Sequence, residues 1–176
     1  MAVAANTFEL SGINTTGFTA YTSAGTATKQ WGWGYSANVS NSNVTLEPDL
    51  WSLSLWGEDL IATRRNGATY TWDATAPTAR ATIIANAPTN SKMSFVSVPD
   101  RHLVCLGAEN GSEDPLNVRW SDQEDNTTWT ASATNTAGSN RLSQGSKIIG
   151  AVQTRDQTLV FTDDAAFGMY FQGPPF

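Results

Sequence analysis

The stretch of sequence that decides the fold is KIIGAVQTRDQTLVFTDDAAFGMYFQGPPF, residues 147–176. Two short apolar runs are each followed by a polar turn. A third run then alternates and places Phe167, Met169 and Phe171 on one face. Alternation with a period of two, between turns rich in Asp, Thr and Gly, is typical of short antiparallel strands. The stretch therefore predicts three strands and no helix.

The same pattern occurs twice upstream. Residues 51–73 show it first, with Leu53 and Leu55 predicted to face inward, and residues 93–122 repeat it around Leu103. Irregular repeats of about 40–50 residues, each a meander of three or four strands, are typical of a β-propeller. The sequence therefore predicts an all-β chain whose antiparallel meander sheets form blades of a partial β-propeller. A plain β-sandwich with similar hairpins is the alternative.

Composition divides the 176-residue chain into two parts. Residues 1–43 are rich in Thr, Ser, Ala, Gly and Asn, and they predict an extended N-terminal arm because such a stretch buries little apolar area. Its aromatic residues Trp31, Trp33 and Tyr35 are predicted to contact the domain or a neighbouring subunit, with a sugar-stacking platform as the alternative. Residues 44–176 are predicted to be the propeller-like domain with its three blade units.

Three units are too few to close a propeller, which has about 4–8 blades. The segment Gly173-Pro-Pro-Phe176 also follows directly on a predicted strand, without a polar tail that would cover an open sheet edge. We therefore expect the domain to be part of a larger propeller. Either further chain or other subunits would complete it.

The large apolar side chains of the alternating strands form the predicted core. They are Trp56, Trp72, Leu103, Trp120, Leu159, Phe161 and Phe171. Such side chains contribute most of the packing free energy, at about 25 cal/mol for each Å² removed from water. The single cysteine, Cys105, lies in an apolar run. It is therefore predicted to be a small core residue that forms no disulfide within the chain.

The charge of the chain excludes one class of function. The net charge is −6 and only three lysines are present. A surface that grips nucleic acid needs clustered Arg and Lys to bind phosphates, so this class is excluded. A surface past which DNA moves remains compatible with an acidic chain, because each ion pair with phosphate would slow the DNA. No apolar run is long enough to span a membrane, and no membrane insertion is predicted.

No catalytic, metal or cofactor site is predicted. Asp122, Glu124 and Asp125 lack the spacing of a calcium-binding EF-hand loop and predict a turn that fixes its own backbone. The pair that begins at Asp163 predicts a hairpin turn. His102 is the only histidine, and nothing in the sequence gives it a catalytic partner. It is therefore predicted to have a structural role. The chain is therefore predicted not to be an enzyme.

Nine short motifs carry a family resemblance by their order along the chain. They are Trp51-Ser-Leu, Trp56-Gly-Glu-Asp-Leu-Ile-Ala, Gly67-Ala-Thr-Tyr-Thr-Trp-Asp73, Asp100-Arg-His-Leu-Val104, Arg119-Trp-Ser-Asp-Gln-Glu-Asp125 with Trp129, Asn135-Thr-Ala-Gly138, Arg141-Leu-Ser143, Leu159-Val-Phe-Thr-Asp163 and Gly173-Pro-Pro-Phe176. From about residue 31 onward, the chain resembles the β-propeller tail nozzle (tail tubular) and tail-stabilisation proteins of short-tailed bacteriophages. It is shorter than these proteins at both ends.

The resemblance implies a structural virion protein without enzymatic activity or cofactors. It implies a homo-oligomer, a hexamer around the tail axis, that contacts the adaptor on the portal side and the tail fibres. The ring would stand in a virion tail assembled in the host cytoplasm, and DNA would pass through it with only transient, non-specific contacts. The alternative function is a carbohydrate-binding propeller or sandwich module that attaches a phage to the host surface.

Overall fold

The computed structural model describes residues 50–155 and 157–173, so the predicted arm with Trp31, Trp33 and Tyr35 lies outside the described residues. The described part contains eleven strands and no helix. The strands are β1 (Trp51–Trp56), β2 (Asp59–Arg64), β3 (Thr69–Trp72), β4 (Thr82–Ile83), β5 (Met93–Val96), β6 (Leu103–Leu106), β7 (Asn117–Trp120), β8 (Gly138–Arg141), β9 (Ile148–Gln153), β10 (Thr158–Thr162) and β11 (Ala166–Met169).

The strands form three antiparallel sheets in which sequence neighbours pair. The first sheet has the order β1-β2-β3-β4, the second β5-β6-β7-β8, and the third β9-β10-β11. The prediction of an all-β chain built from antiparallel meander sheets is confirmed for the described residues. Each of the three predicted units corresponds to one sheet, and Leu60, Leu103 and Leu159 all lie in the middle strands β2, β6 and β10.

The turns between strands can be short because they contain residues that tolerate a positive φ. Gly57, with φ of 66°, and Glu58 join β1 to β2, whose end residues Trp56 and Asp59 pair directly. This two-residue loop has the length that matches the twist of two antiparallel strands. The predicted turn at Asp163 is confirmed as the connection of β10 to β11, closed by a hydrogen bond from the Thr162 amide to the Ala165 carbonyl.

The second sheet is packed on both faces. In β6, Leu103 and Cys105 belong to the core that is shared with the first sheet, whereas Val104 and Leu106 belong to the core shared with the third. All four side chains are fully buried. A strand covered on both faces carries apolar residues without polar alternation. This packing explains the continuous run Leu-Val-Cys-Leu and places the second sheet between the other two.

Small polar groups complete the contact between the first and second sheets. The Thr63 hydroxyl lies 2.7 Å from the Thr69 hydroxyl and 2.6 Å from that of Ser94, and Thr69 lies 3.8 Å from the Cys105 sulfur. All four groups are buried, and each is satisfied by its neighbours, as buried polar groups require. Burial raises the pKa of the Cys105 thiol to about 11. Cys105 is therefore a protonated core residue, as the sequence predicted.

The predicted orientation of β1 is wrong. Leu53 and Leu55 are predicted to face inward, but they are 62% and 64% exposed, and the serines that alternate with them, Ser52 and Ser54, face the second sheet. The Ser52 hydroxyl accepts a hydrogen bond from the Ser94 amide at 2.9 Å, and Ser54 accepts one from β5 in the same way at 3.1 Å. Because β5 is an edge strand, its outward amides need acceptors, and the serines supply them. Alternation then turns both leucines away from the second sheet.

The predicted core is confirmed only in part. Leu103 is fully buried. Four other residues are half-buried: Trp56, Trp72, Trp120 and Leu159. Phe161 and Phe171 were predicted wrongly, because they are 37% and 38% exposed. Phe161 alternates with Val160, which takes the inner face of β10, and Phe171 lies beyond the end of β11.

Replacing Leu106 by Ala tests the two-sided packing of the second sheet. The substitution removes buried methyl groups and leaves a cavity, so we expect the free energy of unfolding to fall by about 2–5 kcal/mol. Val98→Ala is the control, because this valine is 77% exposed and lies outside the packed faces of the sheets, so its truncation should change stability by about 0.5 kcal/mol or less. Urea denaturation measures both values, and equal effects of the two substitutions would contradict the described packing.

Candidate functional site

The outer face of the first sheet, which is the face turned away from the second sheet, is apolar. The strand register aligns Leu53, Ala62, Tyr70 and Ile83 in one row across all four strands. Trp51 adds an aromatic ring, whose centroid lies 6.1 Å from that of Tyr70. Leu53 and Ile83 at the two ends of the row are exposed, whereas Tyr70 is half-buried and Ala62 is fully buried. An exposed apolar face of this kind marks an interaction surface.

The outer face of the third sheet, turned away from the second sheet, is apolar as well. Val152 pairs with Leu159 across β9 and β10, and Phe161 is one place further along the same face. Val152 and Phe161 are both exposed on this face. Within the part of the chain that the structure describes, the stack of three sheets therefore ends on each side in a face with exposed apolar side chains.

A cleft of about 1030 Å³ lies between the second and third sheets. Its walls come from the turn 97–102, from residues 153–155 and 157, from the connection 131–137, and from the segment 170–173 that follows β11. Loops that gather at one end of a rigid stack of sheets are a frequent place for binding sites. The cleft is therefore the candidate ligand site, and the two outer faces are candidate assembly surfaces.

Trp120 forms part of the cleft wall and is held in place from two sides. Its indole Nε1–H donates a hydrogen bond to the Thr136 carbonyl at 2.8 Å. Its ring lies so close to Gly138 that a Cβ on that glycine would be 2.7 Å from Cζ2. Only glycine allows this approach. The alternation of β7 predicted an apolar residue here, but the contact with residues 136–138 could not be inferred from the sequence.

His102 lies in the cleft wall and is 4% exposed. Its ring nitrogen Nδ1 lies 2.9 Å from the Ser121 carbonyl oxygen, so this nitrogen carries the proton and donates. The prediction of a structural residue is confirmed on this side of the ring. The other nitrogen, Nε2, is buried and makes no hydrogen bond to the described residues. The Phe171 ring covers the imidazole, with ring centroids 4.9 Å apart.

The acidic stretch beside the cleft is a hydrogen-bonded turn, as predicted. The Asp125 carboxylate accepts from the Thr127 amide at 2.8 Å and from the hydroxyl groups of Thr127 and Thr128. Asp122 accepts from the amide and hydroxyl of Thr136 and so fixes the connection that carries the Trp120 acceptor. Within the described residues, no three His, Cys, Asp or Glu side chains are grouped as metal ligands would be.

Hydrogen bonding also determines how these two carboxylates titrate. Bonds from Thr127, and then from Thr128, hold the pKa of Asp125 below its ordinary value of 3.8. For Asp122, burial raises the pKa, but the bonds from Thr136 and Gln123 outweigh this effect, so that its pKa is also lowered. Both groups are therefore charged at neutral pH, and they stabilise the loop at the cleft as acceptors.

Comparison with known proteins does not assign a family to the chain. No protein-family model matches the sequence, and neither a curated protein nor a solved structure is significantly similar to it. In the described residues, no helix is long and apolar enough to cross a membrane. The function is therefore proposed below from the residues, from their geometry and from the resemblance in the motifs.

Asp125→Asn tests the role of the carboxylate in the turn. Because the pKa of Asp125 is lower in the folded protein than in the unfolded chain, its contribution is complete above about pH 4 and is lost as the pH falls further. We expect the variant to have a lower Tm than the parent chain at pH 7, and the difference to become smaller as the pH falls below about 4. Thermal unfolding followed by circular dichroism measures both. A Tm difference that is independent of pH would contradict this role.

Proposed function

We propose that the chain is a structural component of a bacteriophage tail, a nozzle or tubular protein that forms part of an oligomeric ring around the DNA-ejection channel. In this proposal the three sheets are adjacent blades of a partial β-propeller. Two lines of argument support it. The order of short motifs from Trp51 to Asp163 resembles such proteins, and the stack of meander sheets suits the blade arrangement.

The observation that carries the proposal is the pair of uncovered apolar faces at the two ends of the stack. Leu53 and Leu55 stand on one outer face, and Val152 and Phe161 stand on the other. A blade inside a propeller has both faces covered, and among the described sheets only the second has this property. Further blades or neighbouring subunits would cover the two outer faces. Closed rotational symmetry does so without leaving a free end.

The charge of the chain fits a channel through which DNA moves without being held. The net charge is −6, and two arginines of the described part are paired with carboxylates. Arg101 lies 3.0 Å from Glu124, and Arg141 lies 2.8 Å from Asp114. Paired arginines are less available to phosphates, and binding to duplex DNA requires several free cations along the contact. Duplex DNA would therefore pass with transient, non-specific contacts.

The resemblance supplies the setting of the proposed ring. We propose a homo-oligomer, six copies by that resemblance, in contact with the tail adaptor on the portal side and with the tail fibres. Its place is the virion tail, assembled in the host cytoplasm. The proposal assigns the chain no enzymatic activity and no cofactor. Trp31, Trp33 and Tyr35 lie outside the described residues, and they remain predicted contacts of the arm or of a neighbouring subunit.

Charged substitutions on the outer faces test the assembly. Leu55→Glu and Phe161→Glu each place a carboxylate on an apolar face that the ring would bury, so each should shift the protein from ring to monomer. Sedimentation velocity and electron microscopy of the purified protein measure the shift. Ser143→Glu is the control, because Ser143 is exposed and lies outside both faces, and it should leave the ring intact. Rings that persist in both face variants would contradict the proposal.

Binding to duplex DNA tests the channel. The protein should bind no tighter than about 10⁻⁴ M at physiological salt, which is the level of non-specific contact. Fluorescence anisotropy with a labelled duplex measures this affinity.

The alternative function, a carbohydrate module for host attachment, predicts a well-behaved monomer whose saturable sugar binding is lost on replacing Trp31 or Trp33. A monomer of that kind, with no ring at any concentration, would overturn the proposal.

A further inference from the structure

We propose that the cleft between the second and third sheets binds a neutral saccharide. This proposal goes beyond the structural role, because the cleft lies between two sheets of one chain and its described lining belongs to that chain. Its volume of about 1030 Å³ is at the upper end of what small-molecule sites occupy. The chemistry of the lining indicates which class of ligand the cleft would take.

Aromatic rings stand where a sugar would enter. Tyr170 is exposed at the mouth of the cleft, and Phe171 is partly exposed beside it. Trp120 stands in the wall with its Nε1–H already bonded to Thr136, so that its ring serves as an apolar surface. The faces of sugar rings that carry C–H groups pack on aromatic faces, and aromatic residues combine such apolar area with a defined geometry. Exposed aromatic residues in a concave site therefore favour a ligand with apolar faces.

The polar groups of the lining are mostly uncharged. Asn140 and Gln172 line the cleft and contribute side-chain amides. The Nε2 amide group of Gln153 donates to the Val96 carbonyl, which leaves its carbonyl oxygen as an acceptor. An amide group offers both donors and acceptors and so matches neighbouring sugar hydroxyls. Among the described residues of the lining, Asp100 and Arg155 are the only Asp, Glu, Lys or Arg, and their opposite charges favour a neutral ligand.

His102 supplies an acceptor that is otherwise unexplained. Since Nδ1 donates to the Ser121 carbonyl, Nε2 of the neutral ring is an acceptor, and it is buried without a partner among the described residues. A buried polar atom without a partner costs free energy unless something satisfies it. The Phe171 ring lies over the imidazole. If the Phe171 side chain rotates away from the imidazole and packs on a sugar ring, a saccharide hydroxyl can donate a hydrogen bond to Nε2 of His102.

Titration with defined sugars tests the proposal. The probes are maltose, cellobiose, lactose and N,N′-diacetylchitobiose, with sialyllactose as the anionic comparison. Saturation-transfer NMR detects binding, and isothermal titration measures it. At least one neutral disaccharide should bind with a Kd of about 1 mM or tighter. Absence of saturable binding by all four neutral sugars, or preference for the anionic one, would overturn the proposal.

Two phenylalanines of nearly equal exposure provide a matched pair of variants. Phe171→Ala removes a ring from the cleft and should weaken sugar binding about tenfold or more, whereas Phe161→Ala changes the outer face of the third sheet and should leave it unchanged. Tyr170→Ala gives a second loss-of-binding variant. Equal affinities of the Phe171 and Phe161 variants would exclude the cleft as the site.

The same pair separates this proposal from the structural one. Phe161→Glu tests the ring and leaves the cleft intact, whereas Phe171→Ala tests the cleft and leaves the outer faces intact. Under both proposals, the Phe161→Glu protein binds sugar without forming a ring, and the Phe171→Ala protein forms rings but binds sugar weakly. An unsubstituted protein that binds sugar and forms no ring would contradict only the ring, and one that forms rings and binds none of the sugars would contradict only the cleft.

Discussion

Burial of β6 on both faces is the constraint on which the rest of the structure depends. Leu103 and Cys105 can be removed from water only by a sheet on one side, and Val104 and Leu106 only by a sheet on the other. The second sheet must therefore lie between two others. Each of the two outer sheets packs one face against the second sheet. Its other face is turned away from the stack.

The orientation of the first sheet shows how backbone hydrogen bonding competes with apolar burial. Leaving the two amides of β5 without acceptors would cost about 1–3 kcal/mol each, and exposing Leu53 or Leu55 costs about 1.5–3 kcal/mol each. These two costs are similar. The serines of β1 satisfy the amides of β5, but this orientation leaves Leu53 and Leu55 exposed, and the described residues do not offset the cost of that exposure. Cover from outside would remove that cost. The apolar outer face is therefore an argument for assembly.

The sequence predicted what alternation and turn chemistry determine locally. It predicted the strands, the three meander units, the hydrogen-bonded turn at Asp125 and the hairpin at Asp163. Alternation shows that two faces differ, but it does not show which face a neighbouring sheet will cover, and the orientation of Leu53 and the burial of Phe161 were predicted wrongly for this reason. The cleft was beyond the reach of sequence patterns, because residues far apart in the chain meet there. His102 and Phe171 are separated by 69 positions in the sequence, and only the packing of the third sheet on the second brings their rings together.

The cleft and the outer faces arise from the same arrangement without competing for the same surface. In the hairpin of β10 and β11, Phe161 stands on the outer face of the third sheet, whereas Phe167 and Met169 turn inward toward the second. The residues that follow β11 continue to the mouth of the cleft. A neighbour that covers Phe161 approaches from the side opposite to the second sheet, so it leaves the space between the two sheets open. A ring of such subunits would then present one cleft for each copy, and weak binding at each cleft would add up through multivalency when several sugars of one surface are engaged.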